Sequence, residues 1–553
     1  MSVYDVCVIG SGPAGLVMSL ELAKSGLSVL LVESGSEQYD INAQSLSDAK
    51  IINSVSHSVM KDAVWRGLGG TSLLWGGRCV PFDDIDYEVR DYVADSGWPI
   101  SEIDLAEYFQ LASEYCSINS PNFKVEKCHN LKTKFNDLAE NLKDSEFILS
   151  TSLERWSVAP KMWAKLKNQL VSNQKLKVLE QHTCIGFFQN ELGGRVSHAL
   201  LKPTSQPDSE KLKIEASVFV IACGGVESTR LILNSMDEPN GLKLLGAKYV
   251  GLNYMGHLSG KIAEIQLYGN PKQSIYGFER DGEVYVRRRI TLSNQLLKNQ
   301  KLLNIAFWLD NPPISDWKHG SGILSAAYLG LTMPFVKNLL APPAIRKRVA
   351  GDKLENLLKH LLNCLFSPIA TATFVIKFLW SRYFANPPIP GFFTYSKNNR
   401  YSLHFHAEQT PNLNSKITLT DERDVTGLRR AKIDLQWSKQ DVDSVIKAHS
   451  VLDYQLTSQG AGQLIYRHDK EALEQAVIDQ SIDGFHQLGT LRMANDSSKG
   501  VTNSYGLLYG VTNTFVASSA IFPTSGQANP TFLIVANTIR QARHIAKNLR
   551  VSV

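Results

Sequence analysis

Cysteine is scarce and ungrouped in this 553-residue chain: there are seven, an odd number, with no C-x-x-C and no C-x-x-C-H pair. A disulfide framework, a zinc ribbon and a covalently fused c-type haem therefore lose their sequence support. An excess of one charge is lacking too. Lys and Arg number 58 against 53 Asp and Glu, a net charge of +5, too mild and too spread to argue for a nucleic-acid partner. Apolar runs long enough to cross a bilayer are missing: Ile323–Val336 is short, and Leu361–Trp380 contains Pro368 and Lys377. No secretory or twin-arginine leader is visible, because a structural element begins at Tyr4. The expectation is a protein of a reduced, cytoplasmic-side compartment. What is plentiful is core material, 43% hydrophobic against 20% charged, which argues against bulk disorder or coiled coil. The length suggests two or three domains.

The first thirty-five residues carry the strongest pattern. Val6-Cys7-Val8-Ile9 reads as a strand buried on both faces. Gly10-Ser11-Gly12-Pro13-Ala14-Gly15 follows at once, Leu16 to Ser25 reads as a helix, and a second apolar strand, Ser28 to Val32, ends at Glu33. This order is the dinucleotide-binding fingerprint. Gly10 permits the tight turn, Gly12 the approach of a pyrophosphate, and Gly15 close helix–strand packing. The helix N-terminus offers free N–H groups to phosphate. Glu33 suits a ribose 2′-hydroxyl, which favours FAD or NAD over NADP.

Three further segments extend the pattern. Arg66-Gly67-Leu68-Gly69-Gly70-Thr71-Ser72-Leu73-Leu74-Trp75-Gly76-Gly77-Arg78-Cys79 is one, and Ala222-Cys223-Gly224-Gly225-Val226-Glu227-Ser228-Thr229-Arg230 is another. The third is His486-Gln487-Leu488-Gly489-Thr490-Leu491-Arg492-Met493, followed by Ile521-Phe522-Pro523-Thr524 and Asn529-Pro530-Thr531. Together with the N-terminal fingerprint these resemble the glucose–methanol–choline (GMC) oxidoreductase family, in particular its pyranose-oxidase-like bacterial branch.

The resemblance implies a fold of the α/β plus α+β class: a discontinuous Rossmann-like FAD domain with an inserted substrate domain built on an antiparallel sheet. The expected division assigns 1–100, 181–260 and 481–553 to the FAD-binding domain, 101–180 to a lid or substrate-domain segment, and 261–480 to the substrate domain. The alternation of polar and apolar residues over 402–419 is what a one-face-buried antiparallel strand requires.

On the resemblance, FAD is held by Gly10, Gly12, Pro13, Ala14, Gly15, Glu33 and Ser34, and by Gly69, Gly70, Thr71, Trp75, Gly76 and Gly77. Ala222, Gly224, Ser519, Pro530 and Thr531 complete the set. Some pyranose-oxidase-like relatives attach the flavin through a His before the tryptophan that Trp75 matches. Here that position is Leu74, so the expected FAD is non-covalent.

Oxidising an alcohol requires a base for the hydroxyl proton while hydride leaves carbon. His486 matches the family's catalytic His, and imidazole titrates near working pH. Asn529 matches the second active-site position. It cannot titrate, so it hydrogen-bonds and orients the substrate oxygen. Pro530 and Thr531 open a segment of helical spacing; the resemblance implies that its N-terminus faces the flavin ring, where its dipole would stabilise developing negative charge.

His404, His406 and Glu408 share one strand face. Without an accompanying ligand cluster they are read as a substrate-lining wall (His404, His406) or a solvent face, not as a metal site. The expected function is FAD-dependent oxidation of a CH–OH group on a sugar-like or other hydroxylated small molecule. Its alternatives are a same-fold lyase or decarboxylase, a non-catalytic FAD-binding scaffold, and a membrane-surface enzyme acting on a lipid-linked alcohol. The electron acceptor is not legible.

One segment departs from a plain soluble enzyme. Residues 331–383 hold eight basic residues against two acidic ones, among two apolar stretches with Phe335, Trp380 and Tyr383. A basic, aromatic-rich, amphipathic insert over 322–383 fits an interfacial helix on anionic lipid at the inner face of a membrane. Its rivals are a helical lid and an oligomer contact.

Overall fold

The computed structural model describes residues 4–551 apart from 129–130, 132–146, 191, 207–208, 272–274, 335–336, 341–345, 347–349 and 351–354. Phe335, Lys347, Arg348, Asp352 and Lys353 thus lie outside the described residues.

The N-terminal apolar run is the strand Tyr4–Ile9, with the helix Pro13–Lys24 and the strand Val29–Val32 after it. These strands form the centre of a sheet whose order is Leu176–Leu179, Val29–Val32, Tyr4–Ile9, Leu212–Ile221, Val196–Pro203, His182–Gln189, with Thr514–Val516 beside Leu212–Ile221. Pairing is parallel from Leu176–Leu179 through to Thr514–Val516 and antiparallel in the hairpin that ends the sheet. Strands buried on both faces must be apolar throughout, which is why Val6–Ile9 and Val29–Val32 are uninterrupted hydrophobic runs. The C-terminal helix Thr531–Val551 packs against the helix Pro13–Lys24.

A second, six-stranded antiparallel sheet runs Gly462–Tyr466, His257–Leu267, Arg400–Glu408, Ile305–Asp310, Ile290–Leu292, Ile148–Leu149. The helix Lys439–Ser458 covers one face through Val442, Val445, Ala448, Leu452 and Leu456, which join Leu403 and Phe405 in a common core.

Two expectations need revision. The alternating stretch 402–419 is two strands, Arg400–Glu408 and Lys416–Arg423, in different sheets. The polar side of the first is not solvated: Ser402, His406 and Glu408 are buried, because that side faces the flavin half of the molecule. Residues 101–180 also divide. The helices Phe109–Cys116 and Met162–Val171 pack in the core beneath the first sheet, and Leu176–Leu179 forms that sheet's edge. Their apolar stripes find cover beside the fingerprint helix.

The insert folds as the helices Gly322–Thr332, Lys337–Leu340, Leu357–Phe366 and Pro368–Tyr383. Among the described residues no single helix is long and apolar enough to cross a membrane, and the last two meet at 98°.

Candidate active site

A cavity of about 430 Å³ runs from the end of the strand Val29–Val32 to the start of the C-terminal helix. Its floor is the glycine turn. Gly10 stands at φ +100°, and a Cβ there would come within 2.7 Å of the Ala222 carbonyl oxygen. Gly15 lets helix and strand approach closely: a Cβ would lie 1.8 Å from the Gly10 oxygen. At Gly12 a Cβ would meet nothing within 4 Å, since that side opens into the cavity. The helix Pro13–Lys24 begins at this residue with no side-chain cap, so its first N–H groups are left for an anion. The residues therefore fit the pyrophosphate of a dinucleotide.

At one end Glu33 is buried, accepting from Ser11 N (2.9 Å), Ser11 Oγ (2.7 Å) and Gly35 N (3.0 Å). Its carboxylate is thereby fixed at the cavity wall where a ribose would lie. Arg66 ties this end together, donating to Ser34 Oγ (2.9 Å), Ser47 Oγ (2.7 Å) and Glu227. Glu227 also pairs with Arg230 at 3.2 Å.

At the other end the cavity is bounded by Trp75, Arg78, Phe485, His486, Asn529 and Thr531. His486 Nδ1 donates to Asp483 Oδ2 (3.1 Å), and Asn529 Nδ2 donates to His486 Nε2 (2.8 Å). Nδ1–H thus points at the carboxylate, and Nε2 is the nitrogen turned toward the cavity-lining Asn529. Asn529 Oδ1 is buried without a hydrogen-bond partner, an acceptor free for a ligand hydroxyl. Asp483 is held by the backbone N–H groups of His257 (2.7 Å), Phe485 (2.9 Å) and His486 (3.0 Å). Burial opposes its charge, yet His486 and His257 outweigh that and keep the carboxyl well below the usual carboxylate range.

Of the expected cofactor residues, Gly10, Gly12, Pro13, Ala14, Glu33, Ser34, Gly70, Thr71, Trp75, Gly76, Ala222, Gly224, Ser519, Pro530 and Thr531 line this one cavity, with His486 and Asn529. Gly15, Gly69 and Gly77 stand behind it; Gly69 lies against Trp163 and Gly77 against Ser157.

His404 and His406 do not line the cavity but form the next layer. His404 stacks on Trp308 at 4.3 Å between ring centres, and the guanidinium of Arg78, which does line the cavity, lies 4.4 Å from the centre of the same tryptophan ring. His406 stacks on His257 (4.4 Å), and both meet His486 edge-on at 5.6 and 4.7 Å. The expectation that no ligand-type cluster accompanies them is corrected: nitrogens of His257, His406 and His486 lie within 4.8 Å of one another. Much of that set is committed elsewhere. His406 Nδ1 donates to the Gln527 carbonyl (2.6 Å), His257 Nε2 to that of Ser525 (3.2 Å), and both His486 nitrogens are engaged as above. Burial pushes His257 down and His406 well down, so both are neutral, whereas His486 is half-buried. Glu408 is structural, in a bidentate pair with Arg90 (2.7 and 2.5 Å).

Asp483, His257, Arg66 and Arg78 were not in the expected set. Arg66 and Arg78 flank the glycine-rich motif, and Asp483 sits three residues before His486, a signal in plain view. His257 is brought in only by sheet pairing.

The fold and this cavity define an FAD-dependent oxidoreductase with a discontinuous cofactor domain. Residues 3–65 match a family model described as FAD binding domain, and residues 411–538 one described as GMC oxidoreductase. The chain is similar to 6'''-hydroxyparomomycin C oxidase of Streptomyces lividus, 21% identical over 99% of this chain and 92% of the relative. It is similar as well to paromamine 6'-oxidase of Streptomyces fradiae, 20% identical with the same coverage. Among solved structures it shares its fold with pyridoxine 4-oxidase from Mesorbium loti (TM-score 0.53, 13% identity, 98% and 99% of the two chains) and with formate oxidase (0.54, 14%, 99% of each). These matches and likenesses together support membership of the GMC oxidoreductase family.

Proposed function

We propose that the protein oxidises a CH–OH group of a sugar-like or other small hydroxylated substrate. The observation that carries this reading is the Asp483–His486–Asn529 constellation at the end of the FAD cavity. FAD, when bound, supplies the hydride acceptor. His486 Nε2 takes the substrate hydroxyl proton, and Asp483 stabilises the imidazolium that results. Asn529 Nδ2, which donates to His486 Nε2 in the free site, turns to donate to the substrate oxygen, which frees the Nε2 lone pair and orients the hydroxyl. The start of the C-terminal helix, Pro530 and Thr531, lines the cavity, and its dipole favours negative charge there. Two relatives named as oxidases of hydroxylated compounds support the substrate class.

FAD is held without a covalent link in this reading. Leu74, before Trp75, carries no nucleophile, and burial pushes the cavity-lining Cys223 thiol far up, away from thiolate. The compartment is the reduced cytoplasmic side, in keeping with seven free thiols, and the partner of the insert 322–383 is a membrane surface at its inner face. Anaerobic flavin reduction by a panel of sugars and alcohols tests the activity. Bleaching by at least one is expected, and a flavin that stays oxidised with all of them refutes it. Acid precipitation should leave FAD in the supernatant; a yellow pellet would mark a covalent bond.

A further inference from the structure

The helix Leu357–Phe366 is built inside out. Its polar residues are turned inward: Asn363 Nδ2 donates to the Trp317 carbonyl (2.8 Å) and to Ser325 Oγ (3.1 Å). His360 shares a hydrogen bond with Ser325 Oγ (3.0 Å), and Cys364 donates to the Gly322 carbonyl (3.4 Å). Its leucines are turned outward. Leu358, Leu361, Leu362, Leu365 and Phe366 fall at i, i+3, i+4, i+7 and i+8, one continuous stripe, and all are exposed. The next helix, Pro368–Tyr383, continues the stripe with Ile369, Ile376 and Trp380. Leu358, Leu365, Phe366, Ile369, Ile376 and Trp380 are each 64–83% exposed. A helix that faces water places its apolar stripe against the core; Leu357–Phe366 does the reverse, and Pro368–Tyr383 has a second apolar face left outside.

Resting on the membrane contact proposed above, we infer that this face seats in the interface of an anionic lipid bilayer, lying in its plane and not spanning it. Helices of 10 and 16 residues meeting at 98° are too short and too bent to cross singly, and a lateral stripe suits the headgroup–acyl boundary. The charge selects the lipid. Among residues 355–384 the ionised groups are Lys359, Lys377 and Arg382 against Glu355 alone, and basic groups beside an apolar face are drawn to anionic headgroups. A second copy would instead set this basic rim against itself. The insert is also joined to the substrate side: Phe374 and Phe378 pack on Phe392 (5.3 and 5.5 Å), whose carbonyl accepts from Asn311 (3.0 Å). Asn311 directly follows the strand Ile305–Asp310, which carries Trp308 beneath His404. The bilayer contact and the wall behind the active site thus share one strand.

Sedimentation of the purified holoenzyme with mixed phosphatidylcholine–phosphatidylglycerol vesicles tests this, beside vesicles of phosphatidylcholine alone. Binding to the mixed vesicles that weakens but persists in moderate salt is expected. The combined variant Leu365→Ser, Phe366→Ser, Trp380→Ser should lose it by at least about tenfold. These side chains are exposed, so its FAD content and its flavin reduction by a water-soluble alcohol should equal those of the parent. Equal binding to neutral vesicles would keep the membrane contact but overturn the anionic interface. No binding to either would overturn both, as would a dimer in light scattering that the variant dissolves. Failure of the alcohol chemistry shows separately, as a flavin that no alcohol reduces in protein that still sediments.

Discussion

His486 works because its two nitrogens are made unequal. Asp483 holds Nδ1–H, so Nε2 is the basic nitrogen, and Asn529 keeps its lone pair occupied until a substrate hydroxyl takes the amide's place. His486→Ala should leave FAD bound while slowing flavin reduction by about two to four orders of magnitude, the scale of losing a general base. Asp483→Asn keeps the shape but loses the charge that balances an imidazolium. A loss of roughly tenfold to a hundredfold in flavin reduction is expected, with KM nearly unchanged. If the role of Asp483 were only structural, the loss would appear in flavin content and melting temperature instead. Rapid-mixing kinetics with flavin content measured in parallel separates these outcomes.

Among the elements, the strand Arg400–Glu408 lies between two interiors. One side buries Leu403, Phe405 and Ala407 beneath the helix Lys439–Ser458; the other carries His404 and His406 toward the flavin half. This arrangement explains why its alternating sequence suggested a solvated face and yet has none. The covering helix contributes His449, fully buried between Phe307 and Phe405, with Nδ1 bonded to the Val445 carbonyl (2.7 Å). Burial pushes its pKa down to about 4 from an ordinary 6.5. Because the folded value is the lower one, the stability is fully present above about 6.5 and is lost as pH falls toward 4. That difference corresponds to at most about 3 kcal/mol. His449→Leu should flatten the fall of melting temperature across this window. Unchanged steepness, measured by calorimetry in matched buffers, would assign the acid sensitivity to His257 and His406 instead.

For the whole molecule, the cofactor site is where distant stretches of chain converge. The strands Tyr4–Ile9, Leu212–Ile221 and Thr514–Val516 are neighbours in one sheet, and the cavity beside them is closed by the loop 66–79 and by the helix Thr531–Val551. A ligand held by all of these stabilises their assembly by mass action, by about 2.7 kcal/mol at a hundred times its Kd. Removing FAD should therefore lower the melting temperature, and adding it back should restore the value in a concentration-dependent way. A melting temperature indifferent to FAD would mean that these segments hold together without it.

The sequence alone determined what depends on local spacing. The glycine turn, the helix after it and the acid ending the second strand are contiguous, so the steric need for Gly10 and Gly15 and the place of Glu33 are written in consecutive residues. His486 and Asn529 were legible because each sits in a motif with fixed neighbours. The tertiary structure decided what depends on partners far along the chain. His257 meets His486 because the strand His257–Leu267 pairs with Arg400–Glu408 beside the loop that carries Asp483. Glu408 is claimed by Arg90, 318 residues away, and so leaves the site. The outward stripe of Leu357–Phe366 is likewise a tertiary fact: amphipathic spacing specifies two faces, but only the hydrogen bonds of His360 and Asn363 to Ser325 decide which one turns inward.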